Sequence, residues 1–181
     1  MDTAEARASF EEFVAARSVS LGRLAYLLTG HRHDAEDLLQ TALIKVAMRW
    51  SRVEEPEAYV RRVLYTQAVS RWRLRGRKPE VLTDQPLDEG GVEGVVESDW
   101  ETRVVLDQAL RGLTPKQRAV LVLRFYEDMS ESQTAAMLEC SVGTVKSQTR
   151  HALERLRVMS PHLVQLLTDR PQEFAERGAR S

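Results

Sequence analysis

The segment from residue 79 to residue 99 constrains the fold of this chain more than any other feature of the sequence. Its 21 residues include seven carboxylates, three glycines and two prolines, a composition that cannot support a hydrophobic core. A chain of 181 residues has room for one ordinary domain or two small ones. The sequence therefore predicts two folded parts, at 8–78 and 100–158, which are joined by an acidic linker at 79–99 and followed by a short tail at 159–181.

The charges of the chain are arranged in blocks, although the formal net charge is only −1. Residues 45–78 carry ten basic and three acidic groups, residues 79–107 carry one and nine, and residues 108–157 carry eight and five. A basic block in each folded part, with an acidic block between them, favours an anionic partner for both parts.

The composition excludes several classes of protein. No run approaches the ~18 consecutive apolar residues that a membrane span needs. The acidic N-terminal sequence MDTAEARASFEEF is not typical of a signal peptide. Cys140 is the single cysteine, which excludes an intramolecular disulfide and a cysteine-rich zinc site. We therefore expect a protein without membrane insertion that works in the reducing cytoplasm.

Apolar residues recur at helical spacing along both folded parts, and no segment is typical of a strand. Two capping boxes, Thr114-Pro115-Lys116-Gln117 and Ser130-Glu131-Ser132-Gln133, mark helix starts in the second part. The predicted fold class is all-α, with two small helical domains. The predicted helices are at about 8–28, 34–50, 57–75, 100–112, 115–126, 131–138 and 142–158.

The last two predicted helices have the spacing of a helix-turn-helix motif, because only residues 139–141 separate them. One side of the longer helix is apolar, and the other carries short hydroxyls and cations. Hydroxyls allow a close approach to DNA, and cations reach phosphates or base edges. An ordinary helical hairpin with a solvated outer face is the alternative. The candidate duplex-binding residues are Thr144, Lys146, Ser147, Arg150 and His151.

The predicted helix at 57–75 combines cations with aromatic residues. From Arg61 to Lys78 there are seven cations and no carboxylate, so the segment repels itself unless an anion neutralises it. Aromatic rings stack on unpaired bases, at about 1–3 kcal/mol per base. A solvated basic face with tryptophans in the core is the alternative, above all for Trp50, which lies on an apolar stripe. The candidate residues for binding unpaired nucleic acid are Trp50, Tyr59, Arg62, Thr66, Ser70, Trp72, Arg73 and Arg77, and Val69 projects to the same side.

Catalytic, cofactor and metal chemistry have little support in the sequence. His31 and His33 lie in a predicted turn, with no glutamate-bearing helix or cysteine beside them to complete a metal site. No glycine loop is present that would cradle a phosphate. We expect neither an enzyme nor a cofactor.

Three blocks of the sequence resemble the extracytoplasmic-function (ECF) sigma factors of bacterial RNA polymerase, a group within the sigma-70 superfamily that has only regions 2 and 4. The blocks are DAEDLLQTALIKVAMRW, EPEAYVRRVLYTQAVSRWRLRGR and LTPKQRAVLVLRFYEDMSESQTAAMLECSVGTVKSQTRHALERLR. The resemblance covers nearly all of residues 8–158. It implies a region 2 bundle at 8–78 and a region 4 helix-turn-helix domain at 100–158.

This resemblance implies a protein that binds core RNA polymerase and directs promoter-specific initiation. Region 2 would recognise and melt the −10 element of promoter DNA, and region 4 would read the −35 element and contact the flap of the β subunit. Many family members have Asn and Asp where this chain has Thr66 and Ser70, so its −10 preference is expected to differ. The coiled coil of the largest polymerase subunit would contact the helix that starts near Asp34, through Asp37, Gln40, Thr41, Ile44 and Met48.

Several alternatives remain open at the level of sequence. Ile44 and Met48 would equally suit packing against the N-terminal helix, and the linker carboxylates would suit either mimicry of nucleic acid or solubility. An anti-sigma factor or the C-terminal tail would hold the protein inactive. The apolar tail residues form one docking turn, for either domain or a regulator: Leu163, Val164, Leu166 and Leu167. The competing class of protein is a transcriptional regulator that binds an operator as a dimer without polymerase. That class does not explain the aromatic residues and arginines of the predicted helix at 57–75.

Overall fold

The computed structural model describes residues 3–75 and 100–168, and the regular structure in these two ranges is helical. The chain divides into two compact units, Met1–Arg103 and Val104–Ser181. The predicted all-α class with two helical domains is confirmed. The predicted linker at 79–99 and the candidate residue Arg77 lie outside the described residues. The helices are α1 (Thr3–Thr29), α2 (Arg32–Ala47), α3 (Pro56–Arg75), α4 (Trp100–Arg111), α5 (Pro115–Leu121), α6 (Glu131–Leu138), α7 (Val142–Met159) and α8 (Pro161–Thr168).

Two shorter elements complete the described structure. A 3-10 turn at Trp50–Arg52 joins α2 to α3, and a π turn at Val122–Tyr126 continues α5. In the π turn, the Glu127 N–H donates to the Val122 carbonyl at 3.0 Å, five residues back. None of the helices in 3–75 and 100–168 is long and apolar enough to cross a membrane.

The first unit is a bundle of α1, α2 and α3, in which each helix contacts the other two. Gly30 ends α1 in the left-handed conformation (φ 74°), and its N–H donates to the Tyr26 carbonyl at 2.7 Å. Glycine adopts this conformation without a Cβ penalty, which is why the chain reverses here. The largest fully buried side chains of the bundle are Leu21, Leu24, Leu38, Val46, Val60 and Leu64.

Two arginines of α3 hold the bundle together rather than face outward. The half-buried Arg71 donates to the Asp34 carbonyl at 3.3 Å and to the Thr41 hydroxyl at 3.5 Å, so it ties α3 to α2. Arg61 pairs with Glu57 at 3.1 Å, and the same carboxylate pairs with Arg17 of α1 at 3.2 Å. The basic segment is therefore partly neutralised from within the fold.

The second unit is built around α7, which contacts α5, α6 and α8. Helix α8 lies in the segment that the sequence assigns to a tail, yet Leu163, Val164 and Leu167 pack into the core of this unit. An isolated helix of eight residues is unstable in water, so α8 depends on this packing. Leu166 lies outside the described side chains. The other members of the core cluster are Ala109, Leu113, Leu121, Ala152 and Leu156, with Phe125 and Leu153 against them.

A buried guanidinium fixes the junction between α4 and α5. Arg118 is among the buried charged residues, and its Nη1 donates to the Leu110 carbonyl at 2.7 Å and to the Leu113 carbonyl at 2.8 Å. The last carbonyls of a helix have no partner within the helix, and a cation near them is favourable. Arg118 therefore satisfies two acceptors that the fold withdraws from water.

Replacing Arg118 with methionine should lower the unfolding free energy of the second unit by about 2–4 kcal/mol, because two buried carbonyls lose a charged donor. Urea unfolding of the full chain, followed by amide hydrogen exchange in α4 and α5, measures this loss. Arg157→Met removes one charge at an exposed position of α7 and should change the same free energy by less than about 0.5 kcal/mol. Equal effects of the two substitutions would contradict the role of Arg118.

Candidate nucleic-acid interfaces

The helix-turn-helix of the second unit is fixed by hydrogen bonds at each helix start. The Ser130 hydroxyl accepts from the Gln133 N–H at 3.1 Å, and the Gln133 side chain accepts from the Ser130 N–H at 2.8 Å. The capping box predicted at Thr114 and Gln117 is present as well, with bonds of 3.3 and 3.0 Å. Both predicted helix starts of this kind are confirmed.

The turn between α6 and α7 contains two features that the sequence did not reveal. Glu139 ends α6 in the left-handed conformation at φ 49°, a position that usually takes glycine. The Ser141 hydroxyl then accepts from the Thr144 N–H at 3.1 Å and caps the N-terminus of α7. A Ser three residues before a Thr is a weak capping signal, because no Glu or Gln follows to complete the box.

One side of α7 is buried in the core, so the opposite side faces solvent. Val145, Ala152 and Leu156 are at most 3% exposed. Val142, which the helical projection places on the buried side, is exposed instead, since it lies at the first turn beyond the core. On the opposite side Lys146, Arg150 and His151 are exposed, and Thr144 and Ser147 are half-buried. The five candidate duplex-binding residues thus lie along about two helical turns of one solvent-facing side of α7.

The outer side of α3 carries four of the exposed candidate residues, Arg62, Thr66, Ser70 and Arg73. The Thr66 hydroxyl donates to the Val63 carbonyl at 3.1 Å, and the Ser70 hydroxyl donates to the Thr66 carbonyl at 2.8 Å. Because both protons are used within the helix, the two oxygens present acceptor lone pairs to an incoming group.

The aromatic candidates beside α3 are less exposed. Tyr59 and Trp72 are half-buried, and the Tyr59 hydroxyl accepts from the Arg49 guanidinium at 3.2 Å. Val69 projects to the outer side in the sequence, but it is 4% exposed. The projection fails at Val69 because α3 packs against both α1 and α2, so more than one of its stripes is buried.

Trp50 belongs to an aromatic cluster. Its ring centroid lies 5.1 Å from Phe10 in an edge-on arrangement and 5.2 Å from Phe13 in a tilted one. These contacts join the 3-10 turn to α1, and such pairs contribute about 0.5–1.5 kcal/mol beyond the area that they bury. The spacing of Phe10 and Phe13 is the signal that favours a packing role, and we leave Trp50 out of the interface.

The candidate polymerase-binding residues form one side of α2. Ile44 is 61% exposed and Met48 is 81% exposed, so neither packs against α1. Asp37 and Gln40 are exposed as well, and the half-buried Thr41 donates to the Asp37 carbonyl at 2.7 Å. Two large apolar side chains exposed next to polar groups on one side of a helix are compatible with a surface that binds a partner.

Comparison with known proteins assigns both units. The family model for sigma-70 region 2 matches residues 14–78, and the model for sigma-70 region 4 matches residues 103–156. The RNA polymerase sigma-E factor of Streptomyces coelicolor is 43% identical over 151 residues, which cover 82% of this chain and 84% of that protein. The ECF RNA polymerase sigma factor SigE of Mycolicibacterium smegmatis is 32% identical over 157 residues, which cover 82% of this chain and 60% of that protein.

A solved structure agrees with these matches. The co-crystal structure of the sigma factor RpoE in complex with the anti-sigma factor NepR from Bartonella quintana has a TM-score of 0.55 and 25% identity, and the match covers 90% of this chain and 99% of that chain. The two helical units follow one another in the order of regions 2 and 4. The chain therefore belongs to the ECF sigma factors of the sigma-70 family, which bind core RNA polymerase and promoter DNA and act as transcription initiation factors rather than as catalytic enzymes.

Proposed function

We propose that this sigma factor docks on core polymerase through α2, opens the −10 element with α3 and reads the −35 element with α7. The proposal divides the chain at the boundaries 8–78 and 100–158, with α8 added to the second domain. One observation carries the proposal. In each unit, one helix exposes a side with cations to solvent, while the other sides of that helix pack in the core. The nucleotide chemistry belongs to the core enzyme.

The docking surface on α2 supplies the affinity for polymerase. Ile44 and Met48 give the apolar centre, and Asp37, Gln40 and Thr41 give a polar rim. Burying two large apolar side chains contributes about 1.5–3 kcal/mol each. The coiled coil of the largest subunit is the partner that the family implies for α2, and the β flap is the partner for the second domain.

On α3, cations and rings act together on the unwound non-template strand. Flipping a base out of the duplex costs a few kcal/mol, and stacking and phosphate contacts offset this cost. Arg62 and Arg73 would bind phosphates at the two ends of the side, and Tyr59 and Trp72 would offer ring edges. Thr66 and Ser70 lie between the arginines, where their acceptor oxygens suit the amino groups of bases. An Asn at either position would add a donor, which is the physical reason to expect a different −10 preference.

On α7, the major groove would receive the N-terminal half of the helix. Thr144 and Ser147 are short enough to let the backbone approach, and Lys146, Arg150 and His151 reach phosphates or base edges. The two promoter elements lie about 50–70 Å apart. A linker of 21 residues reaches about 70 Å when fully extended, so one chain would hold both elements only with its linker nearly stretched.

Two further assignments follow from the family. RpoE of Bartonella quintana is bound by an anti-sigma factor, and we propose a regulator of the same kind for this chain. Since core polymerase works on the chromosome of the cell, the protein would act in the cytoplasm.

The full chain mixed with bacterial core polymerase should give site-selective transcripts in run-off assays on a promoter library. The double substitution Ile44→Glu and Met48→Glu should weaken binding to core polymerase at least tenfold, because it places carboxylates in an apolar contact. Val19→Glu alters another exposed apolar residue, on α1, and should have little effect. Failure of the wild-type chain to associate with core polymerase would refute the proposed function, and operator binding without polymerase would favour the regulator class.

Removing the cations of α3 should impair promoter opening more than duplex binding. In the double variant Arg62→Ala and Arg73→Ala, permanganate reactivity of −10 thymines should fall severalfold, while retention of closed duplex changes less than twofold, because the phosphates that these residues bind belong to the opened strand. The variant Arg7→Ala with Arg32→Ala removes the same charge from exposed positions of α1 and α2 and is the control. Unchanged thymine reactivity in the α3 variant would contradict the assignment.

Replacing Arg150 with alanine should weaken transcription about tenfold from promoters that have a −35 element, since a base or phosphate contact of Arg is worth roughly 1–3 kcal/mol. Templates that lack this element should lose less activity, because only the phosphate part of the Arg150 contact is independent of sequence. Initial transcription rates on paired templates measure the difference, and equal losses on both templates would count against a −35 role for α7.

A further inference from the structure

The outer side of α7 carries carboxylates as well as cations. Arg150 Nε lies 3.9 Å from Glu154 Oε1, and His151 Nδ1 lies 3.4 Å from Glu154 Oε2. Lys146 Nζ lies 3.5 Å from Glu131 Oε2 of α6. Each of the three basic side chains proposed to contact the duplex is thus within 4 Å of a carboxylate of the same unit, and Glu154 is shared by two of them.

Helix packing does not explain the position of Glu154. Its side chain is 52% exposed, and those of its neighbours Arg150 and His151 are 69% and 48% exposed. Ion pairs between groups as exposed as these contribute little to stability. Glu154 also lies three and four residues after His151 and Arg150, so it shares the side of α7 that would meet DNA. A carboxylate at this position lowers the affinity for an anion and adds little to the stability of the fold.

We propose that Glu154 sets the affinity of α7 for duplex DNA by competing with promoter phosphates for Arg150 and His151. This inference rests on the proposed −35 role of α7. Before either side chain reaches a phosphate it has to leave Glu154, and the carboxylate that remains repels a duplex with one negative charge per ~1.7 Å. Both effects are electrostatic and independent of base sequence, so they weaken binding to specific and non-specific duplexes alike.

If Glu154 instead contacted a base directly, neutralising it would change the affinity for DNA in the opposite direction. A carboxylate that accepts from the amino group of cytosine strengthens binding, and only to sites with cytosine at the contacted position. Neutralising Glu154 would then weaken one class of site. Competition with phosphates predicts tighter binding to every duplex, so the sign of the change separates the two roles.

The test uses the full chain assembled with core polymerase and short duplexes that carry either a −35 element or a scrambled sequence. Dissociation constants are measured by fluorescence anisotropy at several salt concentrations. Glu154→Gln keeps the size of the side chain and removes its charge, and it should tighten binding to both duplexes about three- to tenfold, with the gain shrinking as salt rises. The melting temperature of the free chain should stay within about 2 °C, because an exposed pair contributes little.

The matched control is Asp128→Asn, which changes the net charge by the same amount. Asp128 is exposed, and its left-handed conformation (φ 51°) is one that Asn adopts readily. This variant should alter affinity less than twofold. An unchanged or weakened affinity of Glu154→Gln, or an equal gain in Asp128→Asn, would overturn the inference. A wild-type complex that does not distinguish the −35 duplex from the scrambled one would instead contradict the proposed −35 role of α7.

Discussion

The two helices proposed to bind nucleic acid, α3 and α7, each have to bury one side in a small core and keep the other side charged. Most of the structure follows from this constraint. The cores are small, and the guanidinium groups of the half-buried Arg71 and the buried Arg118 are tied to carbonyls. Arg71 bonds the Asp34 carbonyl, and Arg118 bonds the Leu110 and Leu113 carbonyls. These bonds also link neighbouring segments, because Arg71 joins α3 to α2 and Arg118 joins α5 to the end of α4. Cations left over on the outer sides become available to DNA.

The two units differ in where they place the carboxylate that pairs with their cations. In the first, the carboxylate of Glu57 lies at the start of α3 and pairs with Arg61 and Arg17, away from the exposed side that carries Arg62. In the second, Glu154 lies on the exposed side itself. An opened strand has lost its pairing and gains much from stacking, whereas a closed duplex binds through charge to any sequence. Attenuation is thus placed on the helix for which unselective binding is the greater risk.

Local signals in the sequence were sufficient to predict the helices but not the contacts between them. The capping boxes at Thr114 and Ser130 predicted two helix starts correctly, because the hydrogen bonds that define them lie within four residues. The burial of Val69 and the cluster of Trp50 with Phe10 depend on which helices meet, and periodicity along one helix does not contain that information. Helix α8 was assigned to the tail for the same reason, since eight residues become helical only where a neighbouring surface accepts them.

If Glu154 weakens duplex binding as proposed, the second domain would be held less at non-specific sites. A genome offers about 10⁶–10⁹ competing non-specific sites, and the electrostatic part of the affinity acts at all of them. A carboxylate beside Arg150 would lower that part for every site equally, while the proposed hydrogen bonds from Thr144 or Ser147 to base edges would keep their sequence dependence. The ratio of specific to non-specific affinity would stay the same, because the same factor applies to both, but a smaller share of the sigma factor would be held at non-specific sites. With two domains on one chain, the affinity lost at α7 is recovered only where α3 finds an opened −10 element at the right distance, because the second contact is then intramolecular.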